Sequence, residues 1–209
     1  MYNPCYITLV ISLGRDGSVA PKVKITRDMV VDAAVAVARE RGHESINARA
    51  VAGRLGCSTQ PVMTHFATID ALKRAAYARL DRMHTEFLLR PVPETDPLLA
   101  IGLNYLRFAV EEPRLFRFLF QSGYAAESSV SEMLDAEALR PVLEAMQAGL
   151  GMDAAKTRDV FVTLGLFTHG YASILANHTM TFDEKLAAAR LERAFNGAVA
   201  AVMQEEETT

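Results

Sequence analysis

The run from Ser58 to Phe66 contains the side chains of this sequence that are best suited to recognition chemistry. Its hydrogen-bonding members are Thr59, Gln60, Thr64 and His65. Val62 and Phe66 are apolar and four residues apart, so on a helix they would share a face directed toward the protein. A glutamine amide can pair with adenine through two hydrogen bonds, and a threonine methyl can pack on thymine. The run therefore predicts a short helix that contacts DNA bases.

The residues before this run predict a second short helix. Asn47 is a favourable N-cap, Gly56 is a residue type that ends helices, and Ser58 is again a good N-cap. Two short helices joined across a glycine are typical of a helix-turn-helix, here residues 47–66, whose second helix enters the major groove. Arg49 and the first backbone amides of the preceding helix would hold DNA phosphate.

Apolar residues recur at helical spacing along most of the chain, which predicts an all-α fold of about nine helices. The predicted helices run from Thr26 to Gly42, Asn47 to Leu55, Ser58 to Phe66, about Thr68 to Arg90, Asp96 to Glu112, Pro113 to Gly123, Ser128 to Leu150, Asp153 to about Asn177 and Thr181 to Met203. Pro141 lies within the seventh, where a kink and a split are both open. Thr181 to Glu184 has the form of a capping box.

Pro91 and Pro93 predict a boundary between two domains, residues 22–90 with the helix-turn-helix and residues 91–209 with the remaining helices. Residues 1–21 would be an N-terminal extension, in which Tyr6 to Leu13 is either a strand or unstructured. Residues 22–90 contain twelve Lys and Arg against seven Asp and Glu, whereas residues 91–209 contain nine against seventeen. This asymmetry predicts an anionic partner for the first domain, although a solvated basic face is the alternative.

Composition and missing motifs exclude several other classes of protein. The chain is 50% hydrophobic and 22% charged, as in globular proteins. The longest apolar run is too short to span a membrane, no secretory leader is recognisable, and Cys5 and Cys57 form no disulfide framework. We therefore expect a cytoplasmic protein without membrane contact. Catalytic and cofactor motifs are absent, and His84 with Glu86 lacks metal-ligand spacing, so we expect no enzyme, cofactor or metal.

A longer set of residues agrees in order and spacing with a known DNA-binding domain. These residues are Ile25-Thr26-Arg27, Ala33-Ala34, Gly42, Arg49, Val51-Ala52, Gly56, Ser58-Thr59-Gln60-Pro61, Phe66 and Asp70-Ala71-Leu72. Through them the stretch from Ile25 to about Met83 resembles the DNA-binding domain of the tetracycline-repressor (TetR) family of bacterial transcription regulators. The stretch from Leu106 to Phe116 and the pair His169-Gly170 resemble one common type of regulatory domain in this family. That resemblance implies an effector pocket among the fifth to seventh helices and a four-helix dimer interface formed by the last two.

Two positions depart from the family pattern. Met63 stands where members usually carry an aromatic residue that contacts phosphate, and Ile69 stands where a lysine is common. The loss of two phosphate contacts would lower non-specific affinity and its salt dependence. Lys22, Lys24 and Arg27 could compensate as an arm along the DNA backbone or in the minor groove. The residues predicted to contact DNA are Lys22, Lys24, Arg27, Asn47, Arg49, Ser58, Thr59, Gln60, Pro61, Met63, Thr64 and His65.

Two further sets follow for the second domain. The predicted dimer interface comprises Val160, Leu164, Tyr171, Leu175, Leu191, Ala194, Ala198 and Ala201, the alternative being that these apolar stripes face their own core. The predicted effector pocket comprises Phe87, Tyr105, Phe108, Phe116, Phe120, Tyr124, Met133, Met146, Phe167 and His169. These residues could equally be core, and for His169 a hydrogen-bonded interior position is the alternative.

These observations predict a homodimeric, ligand-responsive repressor that binds a palindromic double-stranded DNA operator and leaves it when a small-molecule effector binds. The alternative is a small-molecule-binding protein of the same type whose DNA binding is weakened or lost, an idea that rests on Met63 and Ile69.

Overall fold

The structure, a computed structural model, describes residues 24–124, 139–178 and 180–207, the last three by their backbone. These residues form nine α-helices and no strand. The helices are α1 (Arg27–Arg41), α2 (Ala48–Leu55), α3 (Thr59–His65), α4 (Ile69–Leu88), α5 (Pro97–Glu111), α6 (Pro113–Gln121), α7 (Arg140–Leu150), α8 (Ala154–Asn177) and α9 (Glu184–Glu207). A 3₁₀ turn, His43–Ser45, connects α1 to α2. The predicted all-α class is confirmed.

Local hydrogen bonds explain where α1, α2 and α4 begin. The side chains of Thr26, Asn47 and Thr68 accept hydrogen bonds from the backbone N–H groups three residues later, at 3.2, 2.9 and 3.1 Å. Each bond satisfies a donor that has no partner within the helix. Gly56 ends α2 with φ of 64°, in the left-handed region that suits glycine, and this residue makes the turn into α3.

The last helix has different bounds from those predicted, and Pro141 lies at the start of its helix. The last helix begins at Glu184 rather than Thr181, because the Asp183 carboxylate accepts from the backbone N–H of Leu186 at 3.0 Å and acts as the cap. It also extends past Met203 to Glu207. Pro141 lies in the first turn of α7, where it breaks no hydrogen bond. The predicted start at Ser128 and the stretch Tyr6 to Leu13 lie outside the described residues.

One hydrophobic core joins the helix-turn-helix region to the helices that follow. It contains Val51 and Val62 of α2 and α3, Leu72 and Leu80 of α4, and Phe116 of α6, all of them fully buried. A smaller second cluster contains Met146, Val160, Ala198 and Val202, which come from α7, α8 and α9. The long helix α4 thus packs in the same core as both α2 and α3 and the second half of the chain.

Asn104 ties the end of α4 to α5. Its buried amide nitrogen donates to the backbone carbonyls of Leu88 and Arg90 at 3.1 and 2.8 Å, and its oxygen accepts from Arg107 at 3.0 Å. Arg107 also donates to both carboxylate oxygens of Glu184 at the start of α9. A continuous set of hydrogen bonds therefore connects α4, α5 and α9.

Among the described helices, α8 is the one that is long and apolar enough to cross a membrane, with a mean hydropathy of 1.2 over the relevant stretch. A single helix of this kind also occurs in proteins that never enter a membrane. In this fold α8 packs beside α5 and α9, and Thr157, Val160 and Ala172 on its inner side are buried.

Candidate nucleic-acid interface and regulatory region

The helix α3 is anchored on one side and open on the other. Val62 is fully buried and Phe66 is 3% exposed, and both pack in the main core. The exposed residues on this short segment are Ser58, Thr59, Gln60, Met63 and Thr64, while Pro61 is half-buried. The Thr64 hydroxyl donates to the backbone carbonyl of Gln60 at 2.9 Å, so its remaining hydrogen-bonding capacity is as an acceptor. The side chain of Gln60 makes no hydrogen bond with the described residues and is free to bind a ligand.

Two of the residues predicted to contact DNA also hold α3 against the start of α1. The half-buried His65 ring donates through Nε2 to the backbone carbonyl of Ile25, at 2.9 Å. The Arg27 guanidinium lies 4.8 Å from the centre of the Phe66 ring, in cation–π contact. His65 is therefore engaged within the protein, and sequence reasoning missed this because its partner is forty residues away.

The start of α2 has one polar side chain that is hydrogen-bonded within the protein, Asn47, and one exposed cation, Arg49. Asn47 caps the helix and also donates to the backbone carbonyl of Ser45 at 3.1 Å, so its amide is used within the protein. Arg49 is exposed and makes no ion pair with the described part of the chain. The nearby Arg54, in contrast, is paired with Glu40. Lys24 is exposed, and Lys22 lies outside the described residues.

Two acidic residues of α1 share one arginine of α4. Arg79 forms ion pairs with Asp28, at 2.9 Å, and with Asp32. Arg79 offsets one of these two negative charges and so reduces their repulsion of a phosphate backbone. Met63, 41% exposed, and the half-buried Ile69 place apolar surface at the positions where the family pattern has phosphate-contacting groups.

An aromatic cluster forms where α4, α5, α6 and α8 meet. Its members from the predicted effector pocket are Phe87, Tyr105, Phe108, Phe116, Phe120 and His169. The Tyr105 hydroxyl lies 2.9 Å from His169 Nδ1, and His169 Nε2 is 3.3 Å from the Ser173 hydroxyl. The cluster therefore combines aromatic surface with one hydrogen-bonded Tyr–His pair, in which His169 is half-buried.

The other predicted pocket residues lie elsewhere. Tyr124 packs its ring on Phe118 and donates its hydroxyl to Asp70 at 3.2 Å, beside the start of α4. Met146 belongs to the second, smaller hydrophobic cluster. Phe167 is 40% exposed on the outer side of α8. Met133 lies outside the described residues.

His84 is the member of the aromatic cluster that sequence reasoning did not find. Its ring lies 5.4 Å from Tyr105, 4.7 Å from Phe108 and 5.4 Å from Phe120, measured between ring centres. Burial lowers the pKa of His84 to about 4, and its Nε2 atom has no hydrogen-bond partner among the described residues. The signal was present in the sequence, because Ala76, Leu80, His84 and Leu88 recur every four residues along the buried face of α4.

Burial sets the charge state of the whole cluster. It lowers the pKa of His169 and raises the pKa of Tyr105, as expected when a charged form loses contact with water. The two histidines and the tyrosine are therefore neutral near pH 7. Within the described residues no group of three or more His, Cys, Asp or Glu side chains could hold a metal ion.

The residues predicted for the dimer interface divide between the core and the surface. Val160, Leu175, Leu191 and Ala198 are buried within the chain itself, which is the alternative stated for these stripes. Leu164, Tyr171 and Ala194 are half-buried, and Ala201 is exposed. The exposed large apolar residues of the two helices are instead Leu166, Phe167 and Ile174 on α8, and Leu186 and Met203 on α9.

Small residues accompany these exposed side chains. Gly170 lies between Phe167 and Ile174 on α8, and a Cβ atom added there would meet nothing within 4 Å. Gly197 on α9 is equally open. Small residues on exposed helix faces allow another helix to approach closely. We call the exposed side of these two helices, defined by Leu166, Phe167, Gly170, Ile174, Leu186, Gly197 and Met203, the outer face.

Comparisons with known proteins agree on one class of protein. Residues 98–202 match a family model described as the C-terminal domain of tetracyclin repressor-like proteins. A tetR-family transcriptional regulator from Streptomyces coelicolor has a similar structure, with a TM-score of 0.69 and 18% identity, over 87% of this chain and 83% of that one. A transcriptional regulator from Rhodococcus sp. Rha1 is similar with a TM-score of 0.52 and 20% identity, over 87% and 97% of the two chains. A search of curated proteins finds no match.

Proposed function

Because the chain belongs to the TetR family of transcriptional regulators, we propose that it is a homodimeric repressor that binds a palindromic DNA operator through α3. The observation that carries this proposal is the contrast between the two sides of α3. Val62 and Phe66 fix the helix in the core, while Gln60 and its exposed neighbours keep their side chains open to a partner. A rigid helix with an open polar side is what base recognition in the major groove requires.

Two exposed cations outside α3 support the proposal. Arg49 at the start of α2 and Lys24 ahead of α1 are exposed cations without ion-pair partners in the described ranges. In the proposed complex they hold phosphate and set the register of α3 on the duplex. The DNA-contacting domain is residues 22–90, and residues 91–209 carry dimerisation and effector binding. Such a repressor acts in the cytoplasm and needs no catalytic activity.

Dimerisation through the outer face supports operator binding. Leu166 and Ile174 are each about half exposed, at 51% and 48%. Exposed apolar side chains that recur on one face mark an interaction surface. A second copy covers them when α8 and α9 pair with their symmetry mates in a four-helix arrangement. Two recognition helices about 34 to 36 Å apart, or a multiple of this distance, then enter successive major grooves.

The effector of the proposed repressor binds at the aromatic cluster. Since the cluster's titratable groups are neutral near pH 7, a largely apolar and uncharged molecule suits it better than an ion. The unpartnered Nε2 atom of His84 gives such a molecule one hydrogen-bonding position within an otherwise apolar site. Effector binding would favour a conformation whose recognition helices no longer fit the operator.

Selection of bound sequences from random double-stranded DNA tests the proposal most directly. We expect a palindromic consensus, and we expect Gln60→Ala to cost about 1 to 3 kcal/mol on that consensus with little effect on unrelated DNA. Arg49→Ala is the matched comparison, because losing a phosphate contact weakens all sequences alike and reduces the salt slope by about one. If Gln60→Ala keeps full discrimination between sequences, α3 does not read bases through this residue.

The exposed Met63 and the half-buried Ile69 favour a second candidate, a small-molecule-binding protein with weakened or lost DNA affinity. Apolar surface at these positions contributes no phosphate contact. Negligible binding to the DNA upstream of its own coding sequence at low salt, with no consensus from the selection, would support this candidate over the repressor.

A further inference from the structure

A cleft opens where the end of α1 and the 3₁₀ turn meet α6. Its volume is about 260 Å³. The residues that line it are Arg41, Gly42, His43, Glu44, Arg114, Arg117 and Gln121. Arg114, Arg117 and Gln121 are three and four residues apart along α6, so they share one side of that helix. None of these residues belongs to the α3 surface, the aromatic cluster or the outer face.

The cleft carries more positive than negative charge. Three guanidinium groups face one carboxylate, that of Glu44, which is 75% exposed and 3.3 Å from His43 Nδ1. Burial lowers the pKa of His43; Glu44 partly opposes this shift and Lys73 adds to it. Arg41 and Arg114 make no hydrogen bond or ion pair through their side chains with the described residues. The guanidinium groups of Arg41 and Arg114 can therefore still donate hydrogen bonds to a ligand in the cleft.

Its walls are fixed by contacts that leave the arginine donors available. The Arg117 guanidinium donates one N–H to the backbone carbonyl of Ala176 at 2.5 Å, and a guanidinium has five N–H groups. The His43 ring stacks on Phe118, with ring centres 5.0 Å apart and planes 7° from parallel. Guanidinium groups suit oxyanions, because their planar fork can form two parallel hydrogen bonds with one anion, and Arg117 is already held in place for this role.

We propose that this cleft binds a small dianionic oxyanion, a phosphate group free or in a small ester, between α1 and α6. The volume is below the range of about 300 to 1,000 Å³ typical of drug-sized ligands, yet several times the roughly 30 Å³ that one water occupies in the liquid. The net positive charge of the lining matches a dianion. The half-buried position of Arg117 favours a ligand that enters the cleft over a duplex that lies on the surface.

The location gives this site a regulatory consequence. Arg41 ends the helix before the helix-turn-helix, whereas Arg114 and Arg117 belong to α6 in the second half of the chain. An anion that bridges them stabilises the conformation in which α1 and α6 are close together. By linkage, DNA then changes the affinity for the anion as much as the anion changes the affinity for DNA.

Calorimetric titration of the full chain, free of DNA and at low ionic strength, tests this site with inorganic phosphate, pyrophosphate and glycerol 2-phosphate as probes. We expect saturable binding of at least one of them, weakened roughly tenfold or more by Arg114→Gln and by Arg41→Gln. Arg82→Gln removes the same charge from an exposed site on α4 and should leave the affinity within about twofold. Thermal unfolding without ligand checks that the variants fold.

Three results would overturn the proposal. The first is the absence of saturable binding for all three probes, and the second is an equal loss in Arg82→Gln, which would indicate a general charge effect. In the third, Arg41→Gln and Arg114→Gln leave phosphate affinity unchanged but weaken DNA binding and its salt slope, which would assign the cleft to the DNA surface. Because the titration contains no DNA, failure of the proposed repressor function would leave its result standing.

Discussion

Replacement of Asn104 by alanine should destabilise the protein strongly, because this side chain is 3% exposed and serves three hydrogen bonds. The Asn104→Ala variant leaves the buried carbonyl of Leu88 and the half-buried carbonyl of Arg90 without their donor. A buried polar group without a partner costs about 1 to 3 kcal/mol, and Arg107 keeps its ion pair with Glu184. We therefore expect a loss of about 3 kcal/mol in the free energy of unfolding.

Urea unfolding at constant protein concentration measures this loss, with the slope m compared between variants. Asn177→Ala is the matched control, since the exposed Asn177 also donates to a helix carbonyl, that of Ser173 at 2.8 Å, and should cost less than about 0.5 kcal/mol. At about 2 to 4 °C per kcal/mol for a chain of this size, Asn104→Ala should lower Tm by roughly 6 to 12 °C. If the two variants lose similar stability at equal m, the end of α4 is not held by Asn104.

The remaining predictions concern the buried histidine and the outer face. His84 has a pKa of about 4 in the folded chain against 6.5 in the unfolded chain. Its contribution to the free energy of unfolding is therefore complete above pH 6.5. As the pH falls toward 4 the protein loses this contribution, which is at most about 3 kcal/mol. His84→Phe should therefore flatten the pH dependence of the free energy of unfolding between pH 7 and 4 relative to the native chain. Some pH dependence should remain in this variant, because burial also lowers the pKa values of His43 and His169. An unchanged pH profile in His84→Phe would show that this ring is not buried as described. On the outer face, Ile174→Glu should weaken the proposed dimer at least tenfold in sedimentation equilibrium, because a charge would be buried there without a partner. Leu89→Glu is the control, since Leu89 is equally exposed, at 48%, but lies between α4 and α5; similar dissociation of both variants would exclude the outer face as the interface.

The starts of several helices, though not that of α9, could be predicted from the sequence because the signals are local. Thr26, Asn47, Thr68 and Asp153 each bond to a backbone amide three residues ahead. That interaction depends on the residue type and on a few neighbours alone. The apolar anchors Val62 and Phe66 at α3 were predictable for the same reason, since their spacing alone places them on one face.

Which side of the long helices α8 and α9 faces the core could not be predicted in this way. Both α8 and α9 carry apolar or small residues on more than one side, so several stripes fit a helical period. Which stripe enters the core depends on α5 and α7, whose packing the sequence pattern does not specify. Val160 faces Met146 and Ala198 in the smaller cluster, while Phe167, about two turns further along α8, is exposed. The environment of His84 is likewise made by α5 and α6, and only the fold brings these residues together.

The form of α4 determines how an effector could act on α3 in the proposed repressor. Twenty helical residues extend for about 30 Å, and no glycine or proline interrupts them, so the helix has no built-in hinge. Leu72 near its start packs in the core that anchors α3, whereas His84 near its end lies in the aromatic cluster, and Asn104 holds the final carbonyls to α5. A ligand that enlarges the cluster must therefore displace α4 as a rigid body or break the Asn104 contacts. In the first case α3 moves with the helix and operator affinity falls, and in the second the displacement stays local and operator affinity is retained. Loosening of the Asn104 contacts should consequently weaken the response to effector more than it weakens DNA binding itself.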